Sequence, residues 1–225
     1  MIPKILHYVW VGGDIPDRVT ELINHNKKYT SDYEIKIWTK QNLPTLNEFA
    51  KKALSKKNWA FVSDYVRFVA LHRMGGVYLD TDQKLLRNID DLLDFRFFSG
   101  WNPDKSYIYT GIIGCEPNLG FVSKILLTYN DLEYSKQYSS PKVLTECYRN
   151  LASKENFKVF DSTYFYPVGA GEKSEGKILE HTYATHLWDE SWVSFVPLRR
   201  FLRWLGIMRI YHSVVKRLMQ TFHDS

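Results

Sequence analysis

Along the first eighty residues the apolar and polar positions switch between two periods. Residues 4–11 read Lys-Ile-Leu-His-Tyr-Val-Trp-Val. Apolar side chains fall on both faces, which predicts a buried strand that Gly12 and Gly13 end with a turn. Residues 14–17, with Pro16 among them, have the composition of a helix start, and a helix is expected from there to about residue 29. A second strand is expected over 33–38, where Ile35 and Ile37 share a face, and a second helix over 46–54. From Trp59 to Met74 the period is helical: Phe61, Tyr65, Phe68 and His72 form one line, with Val62, Val66 and Val69 beside it. Gly75-Gly76 supplies a helix stop. Val77-Tyr78-Leu79 is then a short strand running into Asp80-Thr81-Asp82. This alternation of strand and helix predicts an α/β domain. Further on, 108–115 reads as a strand broken by Gly111 and Gly114, 142–151 as a helix and 159–166 as extended chain.

The candidate chemistry sits at the end of that third strand. Carboxylates two residues apart on extended chain project to the same side. Asp80 and Asp82 can therefore share one hard cation, and Mg²⁺ or Mn²⁺ prefers such oxygen ligands and bridges to phosphates. In diphosphate chemistry such an ion neutralises charge on the leaving group. Alone, Asp-x-Asp is common in solvated turns. The preceding helix changes the weighing. It is mostly apolar, yet it carries Ser63, Asp64 and Arg67, related by steps of three and four and so on one face. Asp64 can accept hydrogen bonds from sugar hydroxyls, and Arg67 offers a planar fork of donors to a phosphate or a carboxylate. The plainer alternative is a surface Asp64–Arg67 pair worth little.

With 225 residues, 44% of them hydrophobic, the chain suits one domain or one domain with a short appendage. The two cysteines, Cys115 and Cys147, have no metal-type spacing and read as reduced thiols of a cytosolic protein. The first residues lack the apolar run of a secretory signal, and no stretch has transmembrane length. The expected location is cytoplasmic, with peripheral contact at the inner face of the plasma membrane. Net charge is +5 and the pI is about 9.0, a balance that suits anionic partners. The basic residues gather near the end, at Arg199, Arg200, Arg203, Arg209, Lys216 and Arg217. Residues 198–225 are expected to form a basic amphipathic tail lying on an anionic membrane, although Leu202, Gly206 and Ile210 weaken that pattern. Co-sedimentation of a 1–197 truncation with anionic vesicles would contradict this. No nucleic-acid reader motif is present, so nucleic acid is not an expected partner.

The run Ala60-Phe61-Val62-Ser63-Asp64-Tyr65-Val66-Arg67, followed by Gly75-Gly76-Val77-Tyr78-Leu79-Asp80-Thr81-Asp82, resembles the sugar-binding DxD region of glycosyltransferase family 32. That family includes Och1-like mannosyltransferases and bacterial capsule and exopolysaccharide transferases, and is similar to the catalytic domain of the clostridial glucosylating toxins. Residues 2–13, Ile-Pro-Lys-Ile-Leu-His-Tyr-Val-Trp-Val-Gly-Gly, resemble the family's opening strand, and His186-Leu187-Trp188-Asp189-Glu190-Ser191-Trp192 its closing motif. Asp189-Glu190 departs from the pattern, in which smaller residues are expected.

The resemblance implies a GT-A fold, a Rossmann-like mixed sheet flanked by helices, with residues 1–95 as the nucleotide-sugar half and 96–197 as the acceptor half. It implies a metal-dependent retaining transfer of a hexose from a nucleotide-diphosphate sugar, with UDP-galactose or UDP-glucose favoured. The acceptor it implies is a glycan or a polyprenyl-linked oligosaccharide of capsule, exopolysaccharide or O-antigen synthesis. Catalytic roles fall on Asp64, Arg67, Asp80 and Asp82. The donor would meet Val9, Trp10, Ser63, Asp64, Arg67, Tyr78, Asp80, Ser191 and Trp192. Mn²⁺ or Mg²⁺ would be held by Asp80, Asp82 and, by looser analogy, His186. Trp101, Asn102, Tyr109 and Glu116 are acceptor candidates. Two other readings use the same residues: a nucleotide-sugar hydrolase, and a non-catalytic protein that binds nucleotide sugars or glycans.

Overall fold

In the computed structural model residues 1–135, 137–169, 172 and 176–189 are described. Ser191, Trp192 and the tail at 198–225 lie outside them. Residues Met1–Trp188 pack as one compact unit, and of the second unit, Asp189–Ser225, only Asp189 is described.

Strands β1 (Ile5–Val9), β2 (Glu34–Trp38), β3 (Gly76–Leu79), β5 (Phe97–Trp101), β6 (Ile108–Cys115) and β7 (Phe157–Phe160) form a six-stranded mixed sheet, ordered β2-β1-β3-β6-β5-β7. β1 lies parallel between β2 and β3, and β6 runs antiparallel to β3 and β5. A two-stranded ladder pairs β4 (Gln83–Leu85) with β8 (Ala184–His186). The helices are α1 (Asp17–Lys27), α2 (Glu48–Ser55), α3 (Trp59–Met74), α4 (Gly120–Asp131), α5 (Ser140–Arg149) and α6 (Ser162–Phe165).

Two buried clusters cover the sheet. One joins Val62, Val66 and Phe68 of α3 to Phe49 of α2, Val122 and Tyr129 of α4 and Leu144 of α5. The other joins Leu6, Tyr8, Val77, Leu79 and Ile112 to Val19, Phe98 and Phe165. β1 and β3 are apolar on both faces because each face meets one of these clusters. α3 is buried from Val62 to Leu71 apart from Ser63, so Asp64 and Arg67 lie inside the protein and not in a surface pair.

Two expectations need correction. β6 runs unbroken through Gly111 and Gly114. These glycines are sites of close approach: a Cβ on Gly114 would lie 2.0 Å from the Phe98 ring, and one on Gly111 would press on Gln83, Tyr166 and His186. The stretch 159–166 is also not extended throughout, since β7 ends at Phe160 and α6 follows.

His7 is a core residue of β1, with 0% exposure. Its Nε2 lies 2.8 Å from the Gly75 carbonyl oxygen, which can only accept, so Nε2 carries the proton. Nδ1 then accepts from the Trp38 indole N–H at 3.3 Å. A second ring proton would face a donor. Burial pushes the pKa down to about 4, with the Gly75 bond acting against it and Lys36 and Glu34 opposing each other. An unfolded His7 takes up its proton near pH 6.5, whereas the folded one stays neutral until about pH 4. Stability is therefore full above about pH 6.5 and falls between there and pH 4, by about 3 kcal/mol from this residue. Urea unfolding at pH 7 and pH 4.5 tests this against His7→Gln, which keeps a donor and an acceptor. The variant is expected to lose less stability on acidification. An equal loss in both proteins would remove His7 as the cause.

Candidate active site

α3 ends at Gly75, whose φ of +64° turns the chain into β3. That short turn brings Ser63, Asp64 and Arg67 beside the residues that leave β3. Asp80 and Asp82 sit in a tight turn, not on extended chain, because the Gln83 amide donates to the Asp80 carbonyl at 2.9 Å. The Asp80 amide is tied to the Gly111 carbonyl of β6 at 2.8 Å. Both carboxylates still reach one point. His186 Nε2 lies 3.2 Å from Asp82 Oδ1 and 3.8 Å from Asp80 Oδ2. His186 arrives there because β8 pairs with β4 in a register that sets it opposite Gln83. The Trp188 amide donates to His186 Nδ1 at 3.1 Å, so without an ion Nε2 carries the proton and points it at the carboxylates; a cation bound at Nε2 would displace that proton and this amide contact.

One donor atom from each of Asp80, Asp82 and His186 fits within 4.8 Å of the others. Neighbouring ligands of a six-coordinate ion with bonds of about 2.1 Å are about 3 Å apart, close to the His186–Asp82 spacing. Carboxylates suit Mg²⁺ and Mn²⁺, and an imidazole suits the transition metals. The donor set therefore fits a divalent cation. Burial alone would raise the Asp80 carboxyl, but Arg67 and His186 outweigh it and hold the pKa below the usual range. For His186 burial is likewise outweighed, by Asp80 and Asp82, and its pKa rises.

Arg67 is the hub. Its Nη2 meets Asp64 Oδ1 at 2.9 Å and its Nη1 meets Asp80 Oδ1 at 3.3 Å. Nη1 also donates to the Thr110 carbonyl at 2.7 Å, and Nε to the Ser63 carbonyl at 3.3 Å. Its guanidinium carbon lies 4.5 Å from the centre of the Tyr78 ring. Tyr78 is 1% exposed, and its hydroxyl donates to Asp80 Oδ1 at 2.7 Å while meeting Ser63 Oγ at 3.0 Å. Tyr78 thus orients Asp80, a different task from the nucleotide contact expected of it. Asp64 accepts from Arg67, from the Ser140 amide at 2.9 Å and from Ser140 Oγ at 2.5 Å. A carboxylate has about four lone-pair positions. Among the described residues three are taken.

A DXD-containing sugar-binding region of glycosyltransferases matches residues 16–98, which include Ser63, Asp64, Arg67, Tyr78, Asp80 and Asp82. Over that stretch the chain is similar to the DXD glycosyltransferases. It is 25% identical over 219 residues to a glycosyltransferase of Acanthamoeba polyphaga mimivirus, spanning 88% of this chain and 86% of that one. It is 27% identical to inositol phosphoceramide mannosyltransferase 3 of Schizosaccharomyces pombe, over 42% of this chain and 28% of the relative. It is 30% identical to the mannosyl phosphorylinositol ceramide synthase SUR1 of Saccharomyces cerevisiae, over 44% and 27%. The matches thus span little more than a quarter of the two yeast proteins. Among solved structures, the PaToxG glycosyltransferase aligns with a TM-score of 0.54 at 16% identity, over 67% of this chain and 70% of that one. A glycosyltransferase involved in glycosylation of the major capsid of PBCV-1 aligns with a TM-score of 0.50 at 13% identity, over 88% and 100%. At these identities the likeness is one of fold, and the fold is GT-A.

Val9 ends β1 and Trp10 follows it, at the same end of the sheet as the DXD turn. The Val9 side chain is in the core, and the Trp10 indole donates to the Asp14 carbonyl at 3.0 Å. Four residues were missed by sequence reasoning. Thr110 and Ser140 hold Arg67 and Asp64 from distant parts of the chain, and no local pattern marks them. Gln83 is fully buried beside Gly111. Trp59 lies one and two helical turns before Ser63 and Arg67, against Gly12 and under the Lys40 ammonium at 4.8 Å. Spacing by four could have found it. Of the acceptor candidates, Tyr109 packs on Trp188 near His186. Trp101 packs on Tyr148, and Asn102 closes the 102–107 turn. Glu116 pairs with Arg96 beyond the opposite end of β6.

Proposed function

We propose that the chain is a metal-dependent, retaining glycosyltransferase that moves a hexose from a nucleotide-diphosphate sugar to a hydroxyl of a glycan or lipid-linked acceptor. The observation that carries this is the Arg67 fork between Asp64 and Asp80, beside a turn whose two carboxylates share His186. Residues 1–95 hold the nucleotide sugar and 96–197 build the acceptor side. Trp10 and Trp59 offer flat faces for the base at the strand ends where α/β sheets bind ligands. Asp80, Asp82 and His186 would hold a divalent cation, which when bound would supply positive charge against the diphosphate leaving group. Arg67 holds both carboxylates in place and favours their ionised forms, at Asp64 against the burial that raises its pKa. Asp64 accepts one hydroxyl of the donor sugar through its remaining lone pair. With its other positions filled, Asp64 is a poor nucleophile, so we assign a same-face transfer. The bond from the anomeric carbon to the diphosphate breaks as the acceptor oxygen bonds to that carbon, and the acceptor proton passes to the departing phosphate. UDP-glucose and UDP-galactose remain the favoured donors, and the two mannosyltransferase relatives add GDP-mannose.

The test is release of nucleoside diphosphate from a panel of UDP- and GDP-sugars with Mn²⁺, Mg²⁺ or EDTA. Turnover of one donor, suppressed by EDTA, supports the proposal. Folded protein that neither binds nor turns over any donor would sink it. Free sugar formed at the same rate with or without acceptor would indicate a hydrolase. A product with inverted anomeric configuration would remove the retaining assignment.

A further inference from the structure

We infer that Ser140, backed by Thr110, is a positioning residue for the donor sugar: it sets the plane of the Asp64 carboxylate and leaves a single lone pair open to the ligand. This deepens the function proposed above and rests on it.

Three elements meet at this point. Asp64 lies on α3, Thr110 on β6, and Ser140 opens α5. Asp64, Thr110 and Ser140 are 8%, 4% and 0% exposed. Ser140 grips both carboxylate oxygens: its amide donates to Oδ2 at 2.9 Å and its hydroxyl to Oδ1 at 2.5 Å. Two anchors on one residue fix rotation of the carboxylate about its last bond, which a single hydrogen bond does not. Arg67 adds a third donor at Oδ1. Among the described residues three donors meet the Asp64 carboxylate and favour its anion, against the burial that raises its pKa.

The direction of the hydroxyl chain follows. Ser140 Oγ spends its proton on Asp64, so it accepts from Thr110 Oγ1 at 2.8 Å. The carbonyl of the same Thr110 takes Arg67 Nη1 at 2.7 Å. Thr110 therefore braces both side chains that bond Asp64 Oδ1, one through its side chain and one through its backbone, while Oδ2 meets the Ser140 amide and keeps the open position. The helix itself contributes, since an anion at an α-helix N-terminus is stabilised by the unpaired amides there. Pro141 follows Ser140 and has no amide proton.

A purely structural role for Ser140, as the pin between α5 and α3, would affect every ligand alike. Positioning of the sugar-binding carboxylate would not. The experiment is calorimetric titration, with Mn²⁺ present, of UDP and GDP and of UDP-glucose, UDP-galactose and GDP-mannose. The proteins are the wild type, Ser140→Gly, Ser140→Thr and Thr110→Val, each checked for folding by circular dichroism. Ser140→Gly keeps the amide donor and loses the hydroxyl. It is expected to weaken the bound nucleotide sugar about tenfold, the loss of one charge-assisted hydrogen bond. Affinity for the matching nucleoside diphosphate should stay within about twofold. Ser140→Thr should restore the sugar affinity, and Thr110→Val should show the same sugar-selective loss in smaller measure even where a Ser140 variant folds poorly. Equal losses on both ligands, or no loss on either, would overturn the inference while leaving the transferase reading intact. A wild type that binds no nucleotide sugar would overturn both.

Discussion

Asp82→Asn is expected to lower metal-supported release of nucleoside diphosphate by about 10³-fold or more, while the thermal midpoint stays close to wild type. The asymmetry comes from where Asp82 sits. Its side chain is 16% exposed in a turn, 3.2 Å from His186 Nε2. Replacing it with an amide of equal size leaves the packing alone and removes one negative charge from the cation site. It also relieves repulsion with Asp80, so the folded state loses little. Initial rates at several Mn²⁺ concentrations, with a thermal melt of each protein, check both halves. Rates equal to wild type at every Mn²⁺ concentration would remove Asp82 from the metal site. A collapse in the melt would make the lost activity uninformative.

Arg67→Met should do the opposite, and damage the fold as well as the chemistry. Arg67 is 4% exposed and faces Asp64 and Asp80 on two sides. Without it, the buried Asp64 and the part-buried Asp80 carboxylates oppose each other with no guanidinium between them. Breaking such a buried pair costs about 3–5 kcal/mol. For a protein of this size that corresponds to a fall of about 10 °C in the melting midpoint. Arg67→Lys is not a rescue, because an ammonium cannot reach the Ser63 and Thr110 carbonyls and both carboxylates together. Chemical denaturation of the three proteins decides the matter, and a loss below about 1 kcal/mol for Arg67→Met would show that the carboxylates find other partners.

The parts of this site that repeat locally were legible in the chain. Helical spacing put Ser63, Asp64 and Arg67 on one face, and the Gly75-Gly76 stop set them beside Asp80 and Asp82. What stayed hidden depends on distance along the chain. Ser140 reaches Asp64 across 76 positions and Thr110 reaches Arg67 across 43, with nothing nearby to mark either. Glycine was ambiguous for a related reason. Gly111 and Gly114 look like breaks when read along β6, but their absent side chains make room for Phe98, Gln83, Tyr166 and His186 from elsewhere. The α6 turn was read as extended because Tyr164 and Phe165 favour strands, whereas tertiary packing of Phe165 decides the outcome.

The three-residue ladder between β4 and β8 also fixes when the cation site can exist. His186 lies 106 positions after Asp80. At synthesis rates of about 5–20 residues per second, roughly 5–20 s separate the emergence of the two from a ribosome. During that interval the nascent chain carries its aspartates without their imidazole. Competence to hold an ion would therefore wait for His186 to emerge, whatever order the strands before it pair in.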